Sequence, residues 1–154
     1  MASTLTAAAL TVTITESIEL NGKDQGGSNV LTIGSINEIS KRIVTCAASQ
    51  TTTIAVFNSN VYGAAGAVDI EDSEYIRITN LDDTNPVELA IVGAATLYQV
   101  ALAAGQSHIL GSAQNLMLSE ADTSPSFGTM ADIGSIQVHP GGNAVDVEIF
   151  IASG

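Results

Sequence analysis

Leu10-Thr-Val-Thr-Ile14, Tyr75-Ile-Arg-Ile-Thr79 and Val87-Glu-Leu-Ala-Ile91 alternate side-chain character with a period of two residues. Successive side chains of a strand point to opposite faces, so each segment turns one face to a core and the other away from it. In the second segment Ile76 and Ile78 share one face, and Tyr75 and Arg77 share the other. Thr, Ser, Val and Ile recur throughout, and their stiff or short side chains suit pleated, half-buried surfaces better than helices. Gly and Asn punctuate the chain at short intervals. These features restrict the chain to an all-β fold.

Along the chain the same reading gives strands at Leu10–Ile14 with Ile18–Leu20, then Val30–Ile33, Ile43–Cys46 and Thr53–Phe57. Asn21–Ser28 reads as a flexible loop between the first two groups, and its Gly26-Gly27 pair, like Gly141-Gly142, reads as a turn needing positive φ. Asn80–Pro86 reads as a turn, because Asp and Asn side chains bond their own backbone and Pro86 presets φ. It therefore predicts a hairpin over 75–91. Leu97–Leu102 would also suit a short helix, but Gly105 and the strand-like Ser107–Leu110 favour a further strand pair. Residues 119–134 form the longest irregular loop. Ile136–Val138, the turn His139–Asn143 and Val145–Ile151 predict a final hairpin. The total is about eight to ten short strands, the pattern of an antiparallel β-sandwich or jelly-roll-like single domain. Residues 1–15 are apolar and nearly uncharged. They fit either a first strand of the sandwich or an arm that extends along a neighbour, with the sandwich domain then covering 16–154.

A chain of 154 residues can bury roughly 70% of its unfolded surface and needs no staple. Sixteen acidic residues face four basic ones (Lys23, Lys41, Arg42 and Arg77), giving a net charge of -12, yet 45% of the residues are hydrophobic. Disordered acidic tails are poor in apolar residues, so this charge belongs to the surface of a folded body. Such a surface repels nucleic acid phosphate and anionic lipid, so neither nucleic acid nor membrane is an expected partner. No positive charge precedes Lys23, which does not fit a secretory signal, and no apolar run is long enough to span a bilayer. Synthesis in a reducing cytoplasm is the expectation.

Catalytic and metal-binding patterns are missing from the sequence. His108 lies in an apolar strand and His139 opens a turn; neither has another His or a Cys at ligand spacing. Asp69-Ile-Glu-Asp-Ser-Glu74 is the densest acidic run, with Asp82-Asp83 across the proposed hairpin. Carboxylates on a loop are the right chemistry for calcium, but the spacing matches no EF-hand, and a solvated acidic loop is the simpler reading. The single cysteine, Cys46, excludes an intrachain disulfide and reads as a small buried hydrophobe. Aromatic residues make up 4% of the chain, too few for stacking platforms that bind sugars or single strands. No catalytic, cofactor or metal residue is assigned, and the chain is not expected to be an enzyme.

Self-association remains. Much of the polar half is Ser, Thr, Asn and Ala, and such small side chains lose little entropy when an interface orders them. Two stretches carry a family likeness: Glu16-Ser-Ile-Glu-Leu-Asn-Gly22 followed by Ile39-Ser-Lys-Arg-Ile-Val-Thr45, and Tyr75-Ile-Arg-Ile-Thr-Asn-Leu81 with Val87–Ile91 and Leu102-Ala-Ala-Gly-Gln-Ser107. In these the chain resembles the small β-sandwich structural proteins of tailed bacteriophage virions, among them capsid decoration (cement) proteins and head-fibre or tail components. The resemblance implies a virion protein that forms a homotrimer or other homo-oligomer and bridges major capsid protein subunits on the outer capsid surface, with no cofactor. A tail, neck or head-fibre component is the alternative. A soluble ligand- or calcium-binding β-barrel is the third reading, and it would require a monomer with a deep pocket.

Overall fold

The computed structural model describes residues 4–121 and 123–154. Among the described residues thirteen strands run in chain order: β1 Ala8–Glu16, β2 Glu19–Leu20, β3 Lys23–Asp24, β4 Gly27–Ile36, β5 Glu38–Cys46, β6 Thr52–Asn58, β7 Val68–Asp69, β8 Ser73–Asn80, β9 Val87–Gly93, β10 Leu97–Leu102, β11 Ser107–Leu110, β12 Ile133–His139 and β13 Val145–Ser153. The only helical element among the described residues is one 3-10 turn, Val61–Gly63.

Two sheets carry the core. One has the order β11-β8-β13-β5 and the other β10-β9-β12-β6-β7. All pairings in them are antiparallel except the short parallel contact of β6 with β7. The period-two pattern dictates what lies between them. Ile76 and Ile78 from β8, with Val145, Val147 and Ile149 from β13, face Leu89, Ile91, Ile133, Ile136 and Ile54 of the other sheet, all essentially solvent-free. Hydrogen bonds close the two flanks of the sandwich. On one, the Tyr98 hydroxyl on edge strand β10 lies 3.3 Å from Nε2 of His108 on edge strand β11. On the other, the Arg42 guanidinium of β5 donates to the carbonyl of Ile54 on β6.

The all-β sandwich expectation holds, but the strand partners differ from those predicted. β8 and β9 do not form a hairpin; they lie in opposite sheets, as do β12 and β13, and β10 and β11. Alternation reports only that a segment is a strand with one buried face, and a polar turn can as easily arch across the roughly 10 Å between sheets as fold back within one. The 80–86 turn has the expected local chemistry. Asp82 Oδ1 accepts from the backbone N–H groups of Thr84 (2.7 Å) and Asn85 (2.6 Å), and Asn80 Oδ1 accepts from Asp82 N–H (3.0 Å). The buried Asn80 also donates through Nδ2 to the carbonyls of Asn85 and Leu102, tying the end of β8 to the opposite sheet. Of the predicted irregular loop 119–134, residue 122 lies outside the described residues and β12 already begins at Ile133; the described residues between Leu110 and Ile133 form no strand, only an isolated Met117–Ala131 bridge.

Residues 8–36 stand apart from both sheets. β1 pairs with β4 in a two-stranded ribbon, from Leu10–Ile33 through Val12–Leu31 to Glu16–Gly27. The expectation for 1–15, a sandwich strand or an arm, thus meets a third arrangement, a strand in a hairpin that also takes in β4; the first three residues of that segment lie outside the described ones. The expected loop 21–28 is the hairpin's tip. Leu20 pairs with Lys23 around Asn21 (φ 53°) and Gly22 (φ 72°), the two positive φ values that a type I′ turn requires. Gly26 is not at positive φ; a Cβ there would collide with the Glu16 carbonyl across the ribbon. Of the second predicted glycine turn, Gly141 alone has positive φ, 70°.

Candidate interaction surface

The ribbon's register sorts its side chains into two faces. Leu10, Val12 and Ile14 of β1 share one face with Leu31 and Ile33 of β4, while Thr11, Thr13 and Thr15 line the other with Val30, Thr32 and Ser28. The apolar face lies on the outer side of the four-stranded sheet. There Leu10, Val12, Ile33 and Phe150 pack against a second, smaller cluster of Ile36, Tyr75 and Ala152. The ribbon's base is fixed by the Asn37 N–H, which donates to the Ser153 carbonyl at 2.9 Å. From this base the ribbon crosses the sheet toward edge strand β11, where Val12, Ile14 and Leu31 flank a groove shared with Tyr75 and Ile109.

Only the near half of the apolar face is covered. Ile14, Leu31, Ile18 and Leu20 are 46–59% exposed. At the opposite edge of the same sheet, β5 places Ile39, Lys41, Ile43 and Thr45 on the outer side, opposite Ala152, Phe150, Glu148 and Asp146 of β13. Ile39 is 50% exposed and Ile43 62%, and the ribbon does not reach them. Between these two bare zones sits an ion cluster. Arg77 Nη2 donates to Glu148 Oε1 at 2.6 Å, Lys41 Nζ lies 3.5 Å from Oε2, and Arg77 sits 5.9 Å from the centre of the Phe150 ring. The Arg77 hydrogen bond first, and the Lys41 charge after it, hold the Glu148 carboxyl below the ordinary glutamate range. Two of the chain's four cations thus face outward from this sheet.

A compact 15.7 kDa monomer is expected to expose about 7,300 Å². This chain exposes 9404 Å², so the excess is about 2,100 Å² on that scaling.

The residues singled out in the sequence for possible chemistry do not converge. His108 lies at the β10–β11 flank, where burial pushes its pKa down, while His139 ends β12 in the other sheet, its Nδ1 accepting from Gly141 N–H at 3.2 Å. Asp82 is committed to its own turn, whose backbone N–H groups hold its pKa down. Asp69 accepts from Glu71 N–H at 3.1 Å, and a hydrogen bond between the two carboxyl groups raises the Glu71 pKa. Among the described residues no three His, Cys, Asp or Glu side chains are grouped so as to hold a metal ion. Cys46 is fully buried in the main core, and burial raises its pKa.

Sequence reasoning found β1 as a possible contact element but missed its partner half, Leu31 and Ile33, and the bare pair Ile39 and Ile43. The signal for the first was present: Leu31-Thr-Ile33 has the same spacing as Leu10-Thr-Val12, and Asn21-Gly22 lies between the two runs. Nothing local marks the second, because exposure of one strand face depends on where the ribbon ends.

No family model matches this chain, and no curated protein matches it. A solved structure of Bacillus endospore appendages, described as a novel family of disulfide-linked pili, is similar over 99% of this chain and 95% of that chain, at 10% identity and a TM-score of 0.42. A likeness of that degree supports no statement about this chain's role.

Proposed function

We propose that this protein is a non-catalytic structural component that works by associating with copies of itself, and that it serves on the outside of a virion as a capsid decoration protein bridging major capsid protein subunits. The observation that carries the self-associating part is the half-covered apolar face of the β1–β4 ribbon. A monomeric soluble protein does not gain by presenting Ile14, Leu31, Ile18 and Leu20 to water, whereas contiguous exposed apolar surface is the usual mark of a protein contact. The virion part rests on the resemblance in Glu16–Gly22 and Tyr75–Leu81 and on charge: a net charge of -12 is unfavourable beside packaged DNA and tolerated on an outer surface. Each copy would add a modest contact, and many copies on one lattice would make weak contacts effective together.

Co-sedimentation of the purified protein with capsids of the source particle tests this reading, followed by electron microscopy of the decorated shells. Regular density on the outer lattice is the expected result. Density confined to the tail, neck or fibres would transfer the role to the alternative site, and absence from every part of the particle would overturn the virion assignment.

A further inference from the structure

Among the described residues, the exposed large hydrophobics of the four-stranded sheet's outer side lie at two places: along the ribbon and β11 edge, or on β5 with Leu81 beside Ile43. The ribbon leaves its base beside β5 and β13 and runs over β8 to β11, so its uncovered half, with Ile14, Leu31 and the tip, lies toward and beyond the β11 edge. The uncovered isoleucines, Ile39 and Ile43, lie at the other edge. A single copy cannot bring the two together. Two copies side by side in the same orientation can, because the β11 edge of one then adjoins the β5 edge of the next.

We propose that the overhanging apolar face of the β1–β4 ribbon in one copy docks on the outer side of β5 in a second copy, covering Ile39 and Ile43, and that this head-to-tail contact repeats along the assembly. The proposal rests on the self-associating reading above and names the surfaces that would perform it. Charge agrees with the pairing. The far end of the ribbon carries Glu16, Glu19 and Asp24 against Lys23 alone, whereas the outer side of β5 and β13 has Lys41 between the two isoleucines, with Arg77 and Glu148 beside it for one net positive charge and Asp146 beyond Ile43; Arg42 points to the opposite face, where it meets Ile54. Area agrees as well. The chain as a whole exposes about 2,100 Å² more than a compact monomer, against the roughly 800 Å² that each partner buries in a standard interface. Because the two surfaces differ, the contact is heterologous: it closes into a ring if the rotation between copies permits and otherwise continues as a row.

The test uses two variants of the full chain that keep strand-compatible residues: Ile14→Thr with Leu31→Thr on the ribbon, and Ile39→Thr with Ile43→Thr on β5. Circular dichroism and thermal melting confirm that each is folded; if the ribbon pair melts early, Ile18→Thr with Leu20→Thr toward the exposed tip replaces it. Light scattering on the wild type is expected to show concentration-dependent oligomers, and each variant alone is expected to associate at least about tenfold more weakly, from the lost apolar contact. Mixed one to one, where each alone is monomeric, the variants are expected to form a dimer and stop, since each still offers one intact surface. A wild type that stays monomeric at every concentration would overturn both this pairing and the self-associating reading. Oligomers undiminished in the variants, or variants that mixing does not rescue, would overturn the pairing and leave self-association standing.

Discussion

Tyr75 and Phe150 meet edge to face beneath the ribbon, with ring centroids 6.1 Å apart and planes at 69°. Their strands are adjacent, Ala152 standing opposite Tyr75 and Phe150 opposite Arg77. Both rings lie on the side of the sheet that, in a free-standing sandwich, would face water. Tyr75 is buried nonetheless, because Leu10, Val12 and Ile33 cover it. The ribbon therefore has its own small core, separate from the main one.

Tyr75→Ala should loosen the ribbon before it unfolds the sandwich. Emptying a buried aromatic site costs about 3 kcal/mol or somewhat more, and here the loss falls on the second cluster. Hydrogen exchange is expected to quicken across 8–16 and 27–36 while 145–151 stays protected, and Tyr75→Phe should restore protection. Uniform loss of protection through both regions would show that ribbon and sandwich unfold as one unit.

Asn80 makes three hydrogen bonds in a site closed to solvent, to Asn85, Leu102 and Asp82. Asn80→Ala would leave the buried Leu102 carbonyl, and the part-buried Asn85 carbonyl and Asp82 N–H, without this partner. With each such group costing about 1–3 kcal/mol, and some recovered by relaxation, a loss of roughly 3 kcal/mol in urea unfolding is expected. Asn80→Asp should fare no better, since a carboxylate cannot donate to the carbonyls of Asn85 and Leu102.

Glu148 makes stability fall on acidification. Its folded-state pKa is depressed by Arg77 and Lys41, below an unfolded value of about 4.3. The contribution of its charged form is complete above that unfolded value and disappears as pH falls through the folded one. The melting-temperature difference between wild type and Glu148→Gln should therefore be largest near neutral pH and shrink toward pH 3. A constant difference across that range would mean that the Arg77 bond does not perturb the carboxyl.

Cys46 should be chemically silent in the native protein. It is fully buried and its pKa is raised, so little thiolate is present and none is accessible. A thiol reagent is expected to label it only as urea unfolds the chain, with labelling following the unfolding curve. Rapid labelling without denaturant would require the β5–β6 flank, where Arg42 meets Ile54, to open locally.

The alternation at 10–14, 75–79 and 87–91 determined by itself that these segments are strands and which of their side chains share a face, because the two-residue period is a property of the extended backbone alone. The charge imbalance likewise required an acidic surface around an apolar core. Asn21-Gly22 between two such runs carried a hairpin signal as well, within a stretch read as a flexible loop whose Gly26-Gly27 pair was expected to turn at positive φ; the structure uses Gly26 for close approach to Glu16 instead. Partner choice was decided only by the tertiary structure. Whether β8 folds back on β9 or sends it to the opposite sheet depends on which arrangement buries Ile76, Ile78, Leu89 and Ile91 together, and both arrangements satisfy the same local pattern. The candidate surface is tertiary for the same reason. Ile39 and Ile43 are exposed, and Tyr75 is not, because the ribbon crosses one side of the sheet and stops short of the other.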